Sequence, residues 1–214
     1  MVGASCFVLG AFPPYAIAFS TAAALTTFAV GAVFFTSASF CQLIQAQSPE
    51  LAVGTATSDG RGRLVLRPRA TKDRNWLSAA TQFPGTLYFN VTTVAALATG
   101  LSVAEQDRRI WRPDFIGSCL FLAASAFALA ALGTLWRQWH WRRLDWRIAW
   151  LNMAGSMAFM ASALASFVLP STGSAISVAW SNAGTLVGAV CFFIGAALMI
   201  PAWNSAASAG SRES

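Results

Sequence analysis

Trp111-Arg112-Pro113-Asp114-Phe115-Ile116-Gly117-Ser118-Cys119-Leu120-Phe121-Leu122-Ala123-Ala124-Ser125 combines a helix start with a packing surface. Proline is tolerated in a first helical turn, where its missing N–H is not needed, and Asp114 complements the positive end of the helix dipole. Trp111 beside them reads as an anchor in the membrane interface. At 100° per residue, Gly117, Phe121 and Ala124 fall on one narrow stripe, with Ser118 and Ser125 along its flank.

The same unit recurs at Gly3/Phe7/Gly10, Gly31/Phe35/Ala38, Gly85/Phe89/Thr92, Gly155/Phe159/Ser162 and Gly188/Phe192/Gly195. Second and ninth positions are Ala, Ser or Thr in every copy. Lipid gives no hydrophobic drive for helices to associate, so close approach at small residues has to supply the contact, and a ring between two notches fills the facing groove. One unit per apolar segment predicts six helices. Gly31, Gly85, Gly117, Gly155, Gly188 and Gly195, with Gly184 of a Gly-x-x-x-Gly pair, are the expected packing glycines.

Composition points the same way. Apolar residues make up 56% of the 214 and charged residues 10%, against roughly 25% charged in a soluble domain. Cys6, Cys41, Cys119 and Cys191 lie in or at the ends of apolar runs, without C-x-x-C spacing or a neighbouring histidine. They read as structural thiols, with neither a disulfide framework nor a metal site. No cofactor is implied.

Residues 1–46 read as a first hairpin. Its leading helix, Met1 to Phe12, reaches only ~18 Å at 1.5 Å per residue, short of a ~30 Å hydrocarbon core. Pro13-Pro14 closes it, and a second helix runs from about Ala16 to Ala46. A helix that starts inside lipid leaves its first amides unpaired, so a segment upstream of Met1 is expected to complete the span. The start lacks the basic region of a secretory signal, and no cleaved leader is read there. Residues 47–75 form a basic loop with Arg61, Arg63, Arg67, Arg69, Lys72 and Arg74, and a short extended piece at Leu64-Val65-Leu66.

Residues 76–136 make a second hairpin, with helices at about Trp76–Ser102 and Asp114–Trp136 joined by a mixed-charge turn from Glu105 to Asp114. Gln82, Thr86, Asn90 and Thr93 recur at helical spacing and form the one polar intramembrane face. Asn90-Val91-Thr92 matches a glycosylation sequon, discounted because it lies near mid-membrane. Residues 137–147 are dense in indoles and cations. Arg137, Trp139, Trp141, Arg142, Arg143, Trp146 and Arg147 read as anchors for anionic lipid headgroups. His140, the single histidine, reads as an interfacial ring. Residues 148–203 make the third hairpin, and 204–214 a polar tail.

The loops after the second and fourth helices hold six and four Lys/Arg, against none, three and none in the other loops. The positive-inside rule then places the basic loops and both termini in the cytoplasm of a multi-pass cell-membrane protein. Gly3 to Gly31, Gly85 to Gly117 and Gly155 to Gly188 are 28, 32 and 33 residues apart. The expected fold is an all-α polytopic membrane bundle of three repeated αα-hairpins, with five full transmembrane helices and a short N-terminal half-helix.

Gly188-Ala-Val-Cys-Phe-Phe-Ile-Gly-Ala196 and Gly117-Ser-Cys-Leu-Phe-Leu-Ala-Ala-Ser125 resemble the Gly-Ser-x-x-Phe segments of the YrhK-like family of small bacterial membrane domains. Gln82-x-x-Gly85-Thr-Leu-Tyr-Phe-Asn90 and Trp111-Arg-Pro-Asp114 are similar to segments of larger uncharacterised membrane proteins bearing that domain. The resemblance implies a membrane location and no known activity.

An enzyme or ion-coupled transporter requires an acid, base, nucleophile or metal cluster, and the expected spans contain no carboxylate or histidine. The chain therefore reads as a non-enzymatic bundle acting through packing, lipids or a membrane subunit. A passive path for a small polar solute along the Gln82–Thr93 face is the alternative. Nucleic acid is an implausible partner for loops pinned between membrane spans.

Overall fold

The structure, a computed structural model, describes residues 1–47 and 73–210, without the side chains of 136 and 203–210. Most of the basic loop, including Leu64-Val65-Leu66, and the last four residues lie outside the described residues. The described chain is helical: α1 (Val2–Ala11), α2 (Pro13–Ala18), α3 (Thr21–Gln47), α4 (Arg74–Ala95), α5 (Val103–Gln106), a π-helical turn (Asp107–Trp111), α6 (Arg112–Ala131), a 3-10 turn (Gly133–Arg137), α7 (Leu144–Ala165) and α8 (Val178–Gly210).

Six of these helices close a ring. α1 packs on α3, α3 on α4, α4 on α6, α6 on α7, α7 on α8, and α8 returns to α1. Apolar side chains point outward on all sides, among them Val33, Val187, Met157 and Ile116, while Thr86, Ser118, Ser125, Ser156 and Ser162 are buried. Such a polarity suits a lipid surround, because small hydroxyls return their hydrogen bonds to nearby carbonyls and leave close contact possible. Thr21–Gln47, Val103–Ala131, Leu144–Ala165 and Val178–Ala202 are long and apolar enough to cross a membrane.

Among the described residues four helices meet that measure, where five were expected. Arg74–Ala95 has the length, with 22 residues, but its polar face lowers its mean hydropathy. It nevertheless occupies a full place in the ring.

The ring axis is filled by phenylalanine. Phe7, Phe89, Phe121, Phe159 and Phe192 are buried in one cluster, with Phe35 packed against it. Their centroids lie 5.5 Å apart for Phe7–Phe35, 5.1 Å for Phe89–Phe121 and 5.3 Å for Phe159–Phe192, each pair coming from one helical hairpin. Contacts of 5.5 Å for Phe121–Phe192 and 5.7 Å for Phe89–Phe159 join the hairpins. Phe159–Phe192 is stacked and the other four pairs are edge-to-face, and either geometry at these distances adds about 0.5–1.5 kcal/mol per pair beyond the area buried.

Opposite each ring sits a glycine. A Cβ at Gly31 would come 3.0 Å from the Phe7 ring, one at Gly85 2.8 Å from Phe121, one at Gly155 2.9 Å from Phe192 and one at Gly188 2.6 Å from Phe159. Gly184 is held tighter by backbone, with a Cβ there 2.7 Å from the Ala158 carbonyl oxygen. Gly195 is looser, facing the Asn152 side chain at 3.1 Å.

Helix boundaries depart from expectation where local chemistry overrides the apolar pattern. α3 starts at Thr21, with Ser20 Oγ accepting from the Ala23 amide at 3.1 Å, and Pro13–Ala18 forms its own short helix. α4 ends at Ala95. α6, expected to run to Trp136, stops at Ala131 because Gly133 takes a left-handed φ of +62°, a common helix terminator. Residues 204–210, expected as polar tail, continue α8.

The largest correction lies between Glu105 and Asp114. The mixed-charge turn is helical. Ser102 and Glu105 form a capping box that starts α5, and Arg109–Glu105 and Arg112–Asp107 pairs at 3.8 and 2.8 Å balance four of the turn's six charges. The π-helical turn before Pro113 carries the helix past proline, whose ring would strike a carbonyl in a regular turn. Asp114 therefore lies within the continuous helix Val103–Ala131 rather than at its start.

Candidate functional site

Axial cavities flank the phenylalanine layer, and the polar face of α4 divides between them. Gln82 lines a small cavity of about 80 Å³ with Met1, Ser39, Gln42, Asn152 and Met199. Thr93 lines a larger one, about 180 Å³, at the opposite end of the bundle. Between them Thr86 is fully buried and donates to the Phe83 carbonyl at 2.6 Å. Asn90 Nδ2 donates to Thr36 Oγ1 on α3 and to the Thr86 carbonyl at 3.0 Å. Among the described residues Gln82 and Thr93 thus line different cavities, with Thr86 and Asn90 hydrogen-bonded between them.

Asn90 ties α4 to α3. Asn90→Leu should lower bundle stability by about 0.6–2 kcal/mol, the measured span for hydrogen bonds between membrane helices, with no dependence on added solute. Unfolding of the detergent-solubilised variant, with and without solutes, measures this; an unchanged midpoint would show that the clamp contributes nothing.

All six ring helices contribute to the 180 Å³ cavity. Phe7, Phe28, Phe89 and Phe159 supply rings, while Thr92, Thr93, Ser162, Ser166, Ser181 and Thr185 supply hydroxyls. Among the described residues Asp114 is the one ionisable side chain lining it. Asp114, expected at the edge of its helix, thus lines a cavity between the helices. Sequence reasoning missed it because Arg112-Pro113-Asp114 looks like a helix edge. The available signal was Ser102-x-x-Glu105, a capping-box spacing that starts the helix earlier. Trp111 belongs to the same end and is not a free interfacial anchor. Its Nε1 donates to the Ala163 carbonyl at 2.8 Å, and its ring stacks on Phe115 at 5.3 Å.

At the other end an open cleft of about 610 Å³ is walled by Arg137, Gln138, Trp139, Trp146, Arg147, Trp150, Leu151, Ala154 and Ile194. The expected anchors separate into distinct roles here. Trp139 and Trp141 are 79% and 55% exposed, and Arg142 lies over the Trp141 ring at 5.6 Å. Arg143 is bound to Asp145 at 2.6 Å, and that hydrogen bond, then the opposite charge, raises its pKa further. Trp146 is not an exposed anchor but is buried, 5.2 Å from Trp139 and 5.9 Å from Trp150. The start of α7 turns it inward. The indole N–H groups of Trp146 and Trp150 find no acceptor among the described residues. Among the described residues His140 bonds only to Gln138, at 3.0 Å.

No protein-family model, no curated protein and no solved structure matches this chain.

Proposed function

We propose that this chain is a non-enzymatic integral membrane protein that binds phospholipid headgroups in the cleft of Arg137, Trp139, Trp146, Arg147 and Trp150. The observation carrying this reading is a pair of buried indole donors without acceptors in the wall of a cleft bordered by arginines. A buried donor left unpaired costs about 1–3 kcal/mol. A phosphate or ester oxygen entering between the rings relieves that cost, while Arg147 balances the phosphate charge. The basic loops then face the cytoplasm, whose leaflet is rich in anionic lipid. A further membrane subunit can seat on the outward apolar faces, and nucleic acid has no place in this reading.

Architecture belongs to the same proposal. The glycine–phenylalanine contacts within Gly3/Gly31, Gly85/Gly117 and Gly155/Gly188 support three copies of one αα-hairpin, with Arg74–Ala95 as a fifth full span. The resemblance to the YrhK-like family concerns this same unit. The alternative, a passive solute path along Gln82, Thr86, Asn90 and Thr93, is supported by cavities at both ends of that face. Against it stand the phenylalanine layer and the hydrogen bonds of Thr86 and Asn90.

Native mass spectrometry of protein released from phosphatidylglycerol nanodiscs tests the cleft. Wild type should retain phosphatidylglycerol, and Trp150→Phe with Arg147→Gln should reduce that retention severalfold while leaving the bundle folded. Equal retention by the double variant would sink the proposal. Binding of inorganic phosphate at similar strength in detergent would show that the cleft reads a free anion instead.

A further inference from the structure

We propose that the cavity around Asp114 binds a small primary ammonium ion whose apolar part is about the size of benzene. The site lies at the opposite end of the bundle from the Trp/Arg cleft and is independent of it. Three features of its lining select the ligand.

First, among the described residues the lining carries one carboxyl group and no cationic side chain. Asp114 makes no hydrogen bond or ion pair among the described residues. Its nearest arginine in sequence, Arg112, is held by Asp107 through both Nη2 and Nε at 2.8 Å. A carboxylate inside a membrane bundle without a counter-charge is costly, and a bound cation supplies the missing charge.

Second, five of the six hydroxyl hydrogens are already used. Thr92 donates to the Ile110 carbonyl at 2.9 Å, Thr93 to Phe89 at 2.8 Å, Ser162 to Ser181 at 2.7 Å and Ser166 to Ala163 at 2.9 Å. With Ser162 committed to Ser181, the 2.8 Å contact between Thr185 and Ser162 is donated by Thr185. What these groups still offer is lone pairs. A cavity with a carboxyl group and hydroxyls that mostly offer acceptors suits a ligand rich in N–H donors. A neutral alcohol, with one donor and no charge, satisfies it poorly.

Third, the floor is aromatic. Phe7, Phe89 and Phe159 belong to the axial layer, and Phe28 packs on Phe7 at 5.3 Å. Ring faces attract an organic ammonium and its apolar substituent more than they reward a bare alkali ion, which needs a shell of oxygens. A volume of about 180 Å³ is sufficient for a benzene-sized group, since an apolar cavity of about 150 Å³ takes up benzene.

The probe is benzylammonium, with benzyl alcohol as its neutral counterpart and sodium chloride as the inorganic cation. Isothermal titration of the purified protein in detergent should show saturable benzylammonium binding, at least tenfold weaker in Asp114→Asn. Benzyl alcohol should bind at least tenfold more weakly than benzylammonium, and sodium should not displace the amine. If Asp114→Asn does not fold, carbodiimide labelling of wild-type Asp114 replaces it: benzylammonium should protect the carboxyl and benzyl alcohol should not. Equal affinity for amine and alcohol, unchanged binding in Asp114→Asn, full displacement by sodium, or no binding or protection by the amine would each overturn the site.

Discussion

Phe121→Ala should lower the stability of the detergent-solubilised bundle by about 2–3 kcal/mol, more than any single truncation on the outer surface. Phe121 is 1% exposed and touches Phe35, Phe89, Phe159 and Phe192 at centroid distances of 6.5, 5.1, 6.4 and 5.5 Å. Removing its ring empties the junction of three hairpins. In water-soluble cores Phe→Ala costs about 3–5 kcal/mol, part of it lost transfer from water. That part shrinks in lipid, where the unfolded reference already surrounds the ring with hydrocarbon, so the cavity and lost dispersion contacts dominate. The control is Ile116→Ala on the same helix, 40% exposed on the lipid-facing side. Denaturant unfolding of both variants decides it. A comparable loss for Ile116→Ala would mean that the phenylalanine layer is no more than bulk packing.

The parts of the fold legible in sequence share one property: they follow from spacing within a single helix. Gly85 and Phe89, or Gly188 and Phe192, lie one turn apart, so their common face is fixed by helix geometry before any partner is known. Their convergence on one axis could not be read this way, because it depends on how six helices close a ring. Gln82 and Thr93 show the same limit. They share a face of α4, yet the phenylalanine layer puts them in separate cavities.

Other misreadings arise where short-range chemistry outweighs average polarity. Charge normally marks a membrane edge, and Glu105 to Asp114 carries three acidic and three basic residues. With Arg109–Glu105 and Arg112–Asp107 paired along a capped helix, the charges no longer terminate it, and Asp114 is carried into the bundle. The Trp/Arg segment fails differently. Trp139 and Trp146 are alike in composition terms, but Trp146 sits on α7 and takes its direction from helical phase, whereas Trp139 precedes that helix. An indole's preference for the interface is weaker than the geometry of the helix bearing it.

Gly188→Leu should separate α7 from α8 and cost about 2–3 kcal/mol, near the top of the usual range for overpacking. The first carbon alone would sit 2.6 Å from the Phe159 ring and 3.0 Å from the Gly155 carbonyl oxygen. Neither neighbour yields easily. Phe159 is locked among Phe7, Phe89, Phe121 and Phe192, and the carbonyl belongs to helix backbone. Gly184→Ala should also be costly for a single methyl group, because its obstacle is the Ala158 carbonyl at 2.7 Å. Gly117→Ala should be milder, with nearest contacts of 3.2 and 3.4 Å, and Gly195→Ala milder again, since Asn152 can rotate its side chain away. The exposed Ala183→Leu, one residue before Gly184 on the same helix, provides the baseline. Thermal unfolding in detergent should therefore rank Gly188→Leu and Gly184→Ala well below Gly117→Ala, with Gly195→Ala and Ala183→Leu close to wild type. A flat ranking would mean that these glycines reflect composition rather than contact, and the αα-hairpin would then need some other basis for its close approach.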